Sequence, residues 1–494
     1  MSRLSRILQS LALGGLAIGI ARAEAPDYAV AASAATQNDP AWRQVVAELA
    51  RKRRAPVLIW TKEPEEILPK LRRLHPRWLC FIAKPKEAGR EFIARIHRLT
   101  RGLDADPYTD CLWGVVTGYD AKAALRVARE TRPLVVRKAA GGTEIDLSAC
   151  EEGRWYSEVE PGLWVEKKRG GKPERKRGPA DSTEAIVKTL NEYQPDLFVT
   201  SGHATEHDWQ LGYSYRNGSF RHKNGKLYGL NLKGEKFPVR SFNPKVYLPV
   251  GNCLIGHIDG SDCMATAWMN TGGARQTFGY TVPTWYGYAG WGTLDYFLEQ
   301  PGRFTFAEAF FANQHALVHR LARYFPELLQ AELPSPGRLR GARVSLGKAA
   351  KAAGLRAQDG LGLLYDRDTV AFYGDPAWEA RMASGALRWR QTLSRKGNRW
   401  ELTIQPLAGA RSFAPRNTNG SQRGGRPIIA FFPERVGPAK ILEGAELEPT
   451  ITDDFILVPQ PDPKTLKPLY RVAFEATPLS ASAPQGGKTE TAQP

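Results

Sequence analysis

At 494 residues the chain is too long for one hydrophobic core and divides into two or three units. Hydrophobic residues make up 42% and charged residues 24%, the balance of a globular chain, which excludes wholesale disorder. The formal charge of +18 is spread along the chain, and no phosphate loop, dinucleotide fingerprint or nucleic-acid module accompanies it.

Residues 1–23 read as a secretory leader. Arg3 and Arg6 form the positive start, 7–20 the apolar stretch, and Ala21-Arg22-Ala23 a small-x-small cleavage site. The apolar part is short for a membrane span, and no later stretch is apolar enough to cross a bilayer. The expected address is therefore periplasmic, cell-surface or extracellular. Loss of the leader removes Arg3, Arg6 and Arg22 and lowers the formal charge by three. Five cysteines (Cys80, Cys111, Cys150, Cys253, Cys263) leave at least one thiol without an intramolecular partner.

Residues 24–54 form a lead-in that ends in a helix over 40–54, with Trp42, Val45, Val46 and Leu49 on one face. Strands at 56–60, 78–82 and 112–116 alternate with helices at 64–74, 87–101 and 121–131. That alternation predicts an α/β domain over 55–380, a mostly parallel sheet flanked by helices. Residues 151–181 read as an insertion, and the dense basic run 167–177, broken by Gly170-Gly171 and Pro173, as a solvated loop within it. The pattern resumes with a helix at 182–193 and a strand at 196–200. A β-rich excursion over 213–241 follows, with Asn217-Gly218 and Asn224-Gly225 as hairpin turns. Next come a strand at 245–250, a helix at 262–270, a strand at 274–280 and a long helix at 306–324. Short alternating runs over 385–476 predict a small antiparallel β-sandwich, and 477–494 a disordered tail.

Two of these strands deliver reactive side chains. The 196–200 run stops at Ser201-Gly202 and presents His203; the 245–250 run stops at Gly251-Asn252 and presents Cys253. Ligands bind at the carboxyl ends of parallel strands. A thiolate at Cys253, with His203 as base and acid, suits nucleophilic catalysis, and the amides of Cys253 and Ala204 suit an oxyanion.

His203, Glu206 and His207 also spell H-x-x-E-H, with Cys253, His257 and Cys263 nearby as further zinc ligands. That word needs a helix so that both histidines share a face. Here it follows a strand and a glycine, so a zinc hydrolase is the lesser alternative. Tyr286, Tyr288 and Trp291, interleaved with glycines, read as a substrate loop in preference to a sugar-stacking platform. Asp104, Asp106 and Asp110 cluster as a structural calcium ion would require, though a solvated turn is the simpler reading. No other cofactor is expected.

The words around the two strand ends carry a resemblance. Gly202-His203-Ala204-Thr205-Glu206-His207-Asp208-Trp209 resembles the Gly-His-Gly-x-Glu-x-x-Trp loop of the gingipain-type cysteine peptidases, of the caspase-like clan. Val250-Gly251-Asn252-Cys253 and residues 262–269 resemble that family's nucleophile strand and following helix. Residues 272–281 and Pro283-Thr284-Trp285 resemble its next strand and substrate loop. Tyr373-Gly374-Asp375-Pro376 resembles the phrase that precedes its immunoglobulin-like module.

The resemblance spans roughly residues 55–380 in order. It implies a caspase-like fold, a cysteine endopeptidase with catalytic Cys253 and His203, and a protein or peptide substrate. It further implies that Thr281 and Trp285 line the pocket for the side chain before the scissile bond. Asp106 or Asp110 would be the acidic residue that reaches this pocket or the histidine. One departure stands out: the family's glycine after the histidine is Ala204. If that position needs φ > 0, alanine costs about 1 kcal/mol, and an inactive homologue acting as an extracytoplasmic binding protein is the second expectation.

Overall fold

The computed structural model describes residues 27–332 and 344–479. The predicted leader, and the predicted tail from residue 480 on, lie outside the described residues.

Twelve strands form one sheet. Its order is Val57–Trp60, Tyr28–Ser33, Trp78–Ile82, Leu112–Val116, Val370–Tyr373, Ala274–Tyr280, Lys245–Pro249, Leu197–Thr200, Lys138–Gly141, Glu152–Tyr156, Leu163–Lys167 and Glu174–Arg177. Neighbours run parallel except at three places: the pair Ala274–Tyr280 with Val370–Tyr373, and the two hairpins at the far edge. The fold class is thus α/β with a mostly parallel sheet.

Four expectations change, the last of them in the excursion after His203. The lead-in contains the strand Tyr28–Ser33, buried along its whole length between two parallel neighbours. Its Ala-rich sequence has little β propensity, and its place in the sheet comes from burial on both faces. Residues 151–181 extend the main sheet instead of leaving it. The basic run is correspondingly ordered: Lys176 pairs with Glu166 at 2.5 Å and Arg175 with Glu160 at 3.1 Å. The predicted helix at 64–74 divides into a tight turn, Pro64–Ile67, and a helix, Leu68–Leu74. Pro69 falls in the first turn of that helix, where its missing N–H costs nothing.

The excursion after His203 is a four-stranded antiparallel sheet of Asp208–Gln210, Ser219–Lys223, Lys226–Leu230 and Lys236–Pro238. Asn224 and Gly225 make its tight turn, both at positive φ (52° and 67°). Asn217 does not make a hairpin; its carboxamide oxygen accepts the amide of Ser182, ahead of the helix Thr183–Lys188.

The C-terminal unit has two antiparallel sheets that enclose Trp400, Leu402, Phe432 and Phe474. It shares a core with the α/β unit, since Ile429, Phe455 and Leu457 pack with the helix Phe306–Tyr324 and its neighbours. A segment of this unit also crosses to the α/β unit. Arg423 and Arg426 bind Asp295 at 2.6 and 3.0 Å, and Ser421 donates to the Tyr286 carbonyl at 3.1 Å. No helix among the described residues is long and apolar enough to cross a membrane.

Candidate functional site

Leu197–Thr200 and Lys245–Pro249 are adjacent parallel strands, with Thr200 opposite Pro249. The chains leaving them therefore emerge side by side at one edge of the sheet. Gly202 takes φ 96°, which bends the first chain outward, and Leu254 takes φ 57°, which turns the second away immediately after the cysteine. A left-handed leucine costs about 1 kcal/mol, a strain that the surrounding sheet must hold.

Asn252 ties the two exits together. It is fully buried, accepts from Thr200 Oγ1 at 2.6 Å and donates to the Gly202 carbonyl at 3.1 Å. Cys253 is half-buried, and the amide of Thr284 donates to its sulfur at 3.2 Å. Thr284 Oγ1 also donates to the Asn252 carbonyl at 3.0 Å, which holds this loop against the Cys253 segment.

His203 is exposed, and its ring stacks on Tyr213 with centroids 5.0 Å apart and planes 23° apart. The loop that carries it closes back on itself: Gln210 donates to the His203 carbonyl at 2.9 Å, and buried Trp209 donates its indole N–H to the Ser201 carbonyl at 2.8 Å. Among the described residues no acceptor takes the amide of Cys253 or of Ala204. Ala204 does not have positive φ; that conformation falls on Gly202. The alanine therefore carries no backbone strain, and the motive for an inactive homologue weakens.

The zinc alternative fails on geometry. Residues 205–208 form a tight turn, with the Thr205 amide donating to the Asp208 carbonyl at 2.9 Å. His207 points to His222 and Asp259 while His203 lies on Tyr213, so the two histidines share no face. Cys263 is buried at the start of the helix Met264–Asn270, where burial pushes its thiol up to about 11. His257 is half-buried, and burial with the nearby Arg90 charge pulls its pKa down.

Trp285 directly follows the Thr284 amide and is 42% exposed, with its ring edge-on to Tyr365. Thr281 is buried, and its hydroxyl donates to the Thr369 carbonyl at 2.9 Å, which leaves it no free donor to line a pocket. Tyr286, Tyr288 and Trp291 are buried too, and Tyr288 opens the helix Tyr288–Phe297. Neither a substrate loop nor a sugar platform is built from them.

Asp106 and Asp110 gather elsewhere, beside Asp104, Asp454 and the Arg435 guanidinium of the C-terminal unit. Burial raises Asp106 to about 6; burial and then the charges of Asp104 and Asp106 raise Asp110 to about 9. The nearest set of potential metal donors there is His75, Asp104 and Asp110. An imidazole donor and a neighbouring guanidinium suit calcium poorly, since that ion prefers a cage of oxygens.

Sequence reasoning missed the Asn252 bridge, the Thr284 donor and the Tyr213 stack. Only Asn252, adjacent to the cysteine, had a local signal.

No family model matches the chain, and no curated protein does. A solved structure described as "Structure of Protease" aligns with it at 10% identity and a TM-score of 0.39, covering 77% of this chain and 85% of that one.

Proposed function

We infer that the protein is an exported cysteine endopeptidase of gingipain type. His203 takes the Cys253 proton, and the sulfur attacks the scissile carbonyl. The amides of Cys253 and Ala204 receive the oxyanion, and His203 returns the proton to the leaving amine. Water then hydrolyses the thioester with His203 again acting as base. Trp285 offers an apolar face to the side chain before the scissile bond.

The observation that carries this reading is the Asn252 bridge. It ties the chain that leads to His203 to the chain that leads to Cys253 where both leave the carboxyl ends of adjacent parallel strands. The test is iodoacetamide labelling of the purified protein, paired with peptide hydrolysis. Fast labelling at Cys253 that slows in His203→Ala, with hydrolysis lost in Cys253→Ala, supports the reading. Hydrolysis that survives Cys253→Ala overturns it.

A further inference from the structure

The segment that crosses from the C-terminal unit, residues 416–426, arrives at the edge where Cys253 and His203 emerge. Thr143 follows the strand Lys138–Gly141, the parallel neighbour of the His203 strand on one side. Tyr286 follows Ala274–Tyr280, the parallel neighbour of the Cys253 strand on the other. Asn419 donates to Thr143 Oγ1 at 3.1 Å, and Ser421 donates to the Tyr286 carbonyl at 3.1 Å. Two neighbouring side chains of the segment thus join the loops that flank the reactive pair. Between them Gly420, at φ 97°, lies against the Trp291 ring, where a Cβ would come within 2.3 Å of it. The same ring abuts Gly251, two residues before Cys253, where a Cβ would come within 3.3 Å of its Nε1.

The segment is anchored from behind. Arg423, almost fully buried, pairs with Asp295 and donates to the Asn419 carbonyl at 2.7 Å. Asn417 accepts the Asn419 amide at 2.6 Å and donates to Glu144 at 3.2 Å. Asn419 is therefore held at its amide, its carbonyl and its carboxamide.

From Asn419 a short series of hydrogen bonds reaches His203. Thr143 is fully buried; it accepts from Asn419 and donates its own hydroxyl proton to Glu158 at 2.5 Å. Glu158 is buried too, and its carbonyl accepts the amides of Tyr213 and Ser214 at 2.6 and 3.1 Å. The Tyr215 hydroxyl donates to the Ser157 carbonyl at 2.9 Å, so the two segments are joined along their length. The ring of Tyr213 is the surface on which His203 lies.

We propose that Asn419 is a positioning residue for His203, and that the C-terminal unit completes the site through it. By fixing Thr143 and Glu158, Asn419 sets the Tyr213 ring and with it the imidazole that serves the thiol. The inference rests on the peptidase reading of Cys253 and His203 and deepens it, since the α/β unit alone does not complete the pair.

The test is the rate of Cys253 alkylation by iodoacetamide on the full chain, in a double-mutant cycle of Asn419→Asp with His203→Ala. Asn419→Asp keeps the shape of the side chain but can only accept, and Thr143 has a single proton for two carboxylates. Alkylation about fivefold slower than in the parent is expected, with no further slowing once His203 is replaced, as for residues coupled through contact. A merely structural role would slow both backgrounds alike. If the added charge prevents folding, Asn419→Ala at this half-buried position puts the same question. The parent rate in a folded Asn419 variant, or equal slowing with and without His203, overturns the proposal. Alkylation of His203→Ala as fast as the parent overturns the peptidase reading and the proposal with it. That result needs no change at Asn419, so the two failures are told apart.

Discussion

The buried carboxamide of Asn252 donates to the Gly202 carbonyl across the boundary between two parallel strands, one residue before the cysteine. Asn252→Ala leaves that carbonyl without a partner, while Thr200 keeps its contact with the Tyr247 hydroxyl at 3.0 Å. The expected cost is about 2 kcal/mol. Chemical denaturation should show a lower midpoint, and Cys253 alkylation should lose its dependence on His203. An unchanged midpoint with intact dependence would remove the bridge from the account.

The five thiols should react very unequally. Cys80, Cys111, Cys150 and Cys263 are buried, and burial pushes Cys150 up to about 12 and Cys263 up to about 11. Reactivity follows the thiolate and its exposure. Mass spectrometry after brief native alkylation should find one adduct, at Cys253, and five adducts after unfolding. A second native adduct would contradict the burial described here.

The acidic cluster against the C-terminal unit should make stability fall as pH rises. Asp110 is raised by burial to about 9 in the folded chain, against an ordinary aspartate near 4 when unfolded. Between those values the unfolded state binds fewer protons, so the contribution of Asp110 is full below pH 4 and is lost progressively up to about pH 9. Asp110→Asn should therefore raise the melting temperature at pH 8 and leave it nearly unchanged at pH 4. The comparison is made in chelator, and equal shifts at both pH values would contradict it.

Asp295 should be indispensable to the join between the units. Arg423 and Arg426 both bind it from almost complete burial, and Arg423 also pairs with Glu299. Asp295→Asn removes the carboxylate paired with the buried Arg426 and one of the two paired with Arg423, which costs about 3–5 kcal/mol. A chain ending at residue 384 would expose the helices that pack on Phe455 and Leu457, and it should aggregate on expression. A soluble, cooperatively folding truncation would show that the α/β unit is autonomous.

What was legible in the chain was local. The strand Ala274–Tyr280 and the helix Phe306–Tyr324 follow from hydrophobic period alone, and the Asn224-Gly225 turn from the left-handed conformations those residues tolerate. The strand ends that deliver His203 and Cys253 were equally readable, since a short apolar run closed by glycine needs no distant information. The word from His203 to His207 was ambiguous for the opposite reason. As a zinc word it would need a helix, which the preceding strand and glycine argue against, and its pairing across Ala204 and Trp209 makes it a turn.

Everything that depended on a distant partner stayed hidden. Tyr28–Ser33 is weak as an isolated strand and is held by neighbours on both sides. Val370–Tyr373 reverses the sheet because it pairs with Ala274–Tyr280, a choice not written in either segment. Lys245 opens a buried strand, where its ammonium is answered by the carbonyls of Ser241, Asn243 and Gly272. Asp110 comes to lie near Asp454 of the C-terminal unit, and His207 meets Asp259, because such neighbours are settled between segments far apart in the chain. Period and turn chemistry are properties of a few consecutive residues. The partner of a buried charge is a property of the packed molecule.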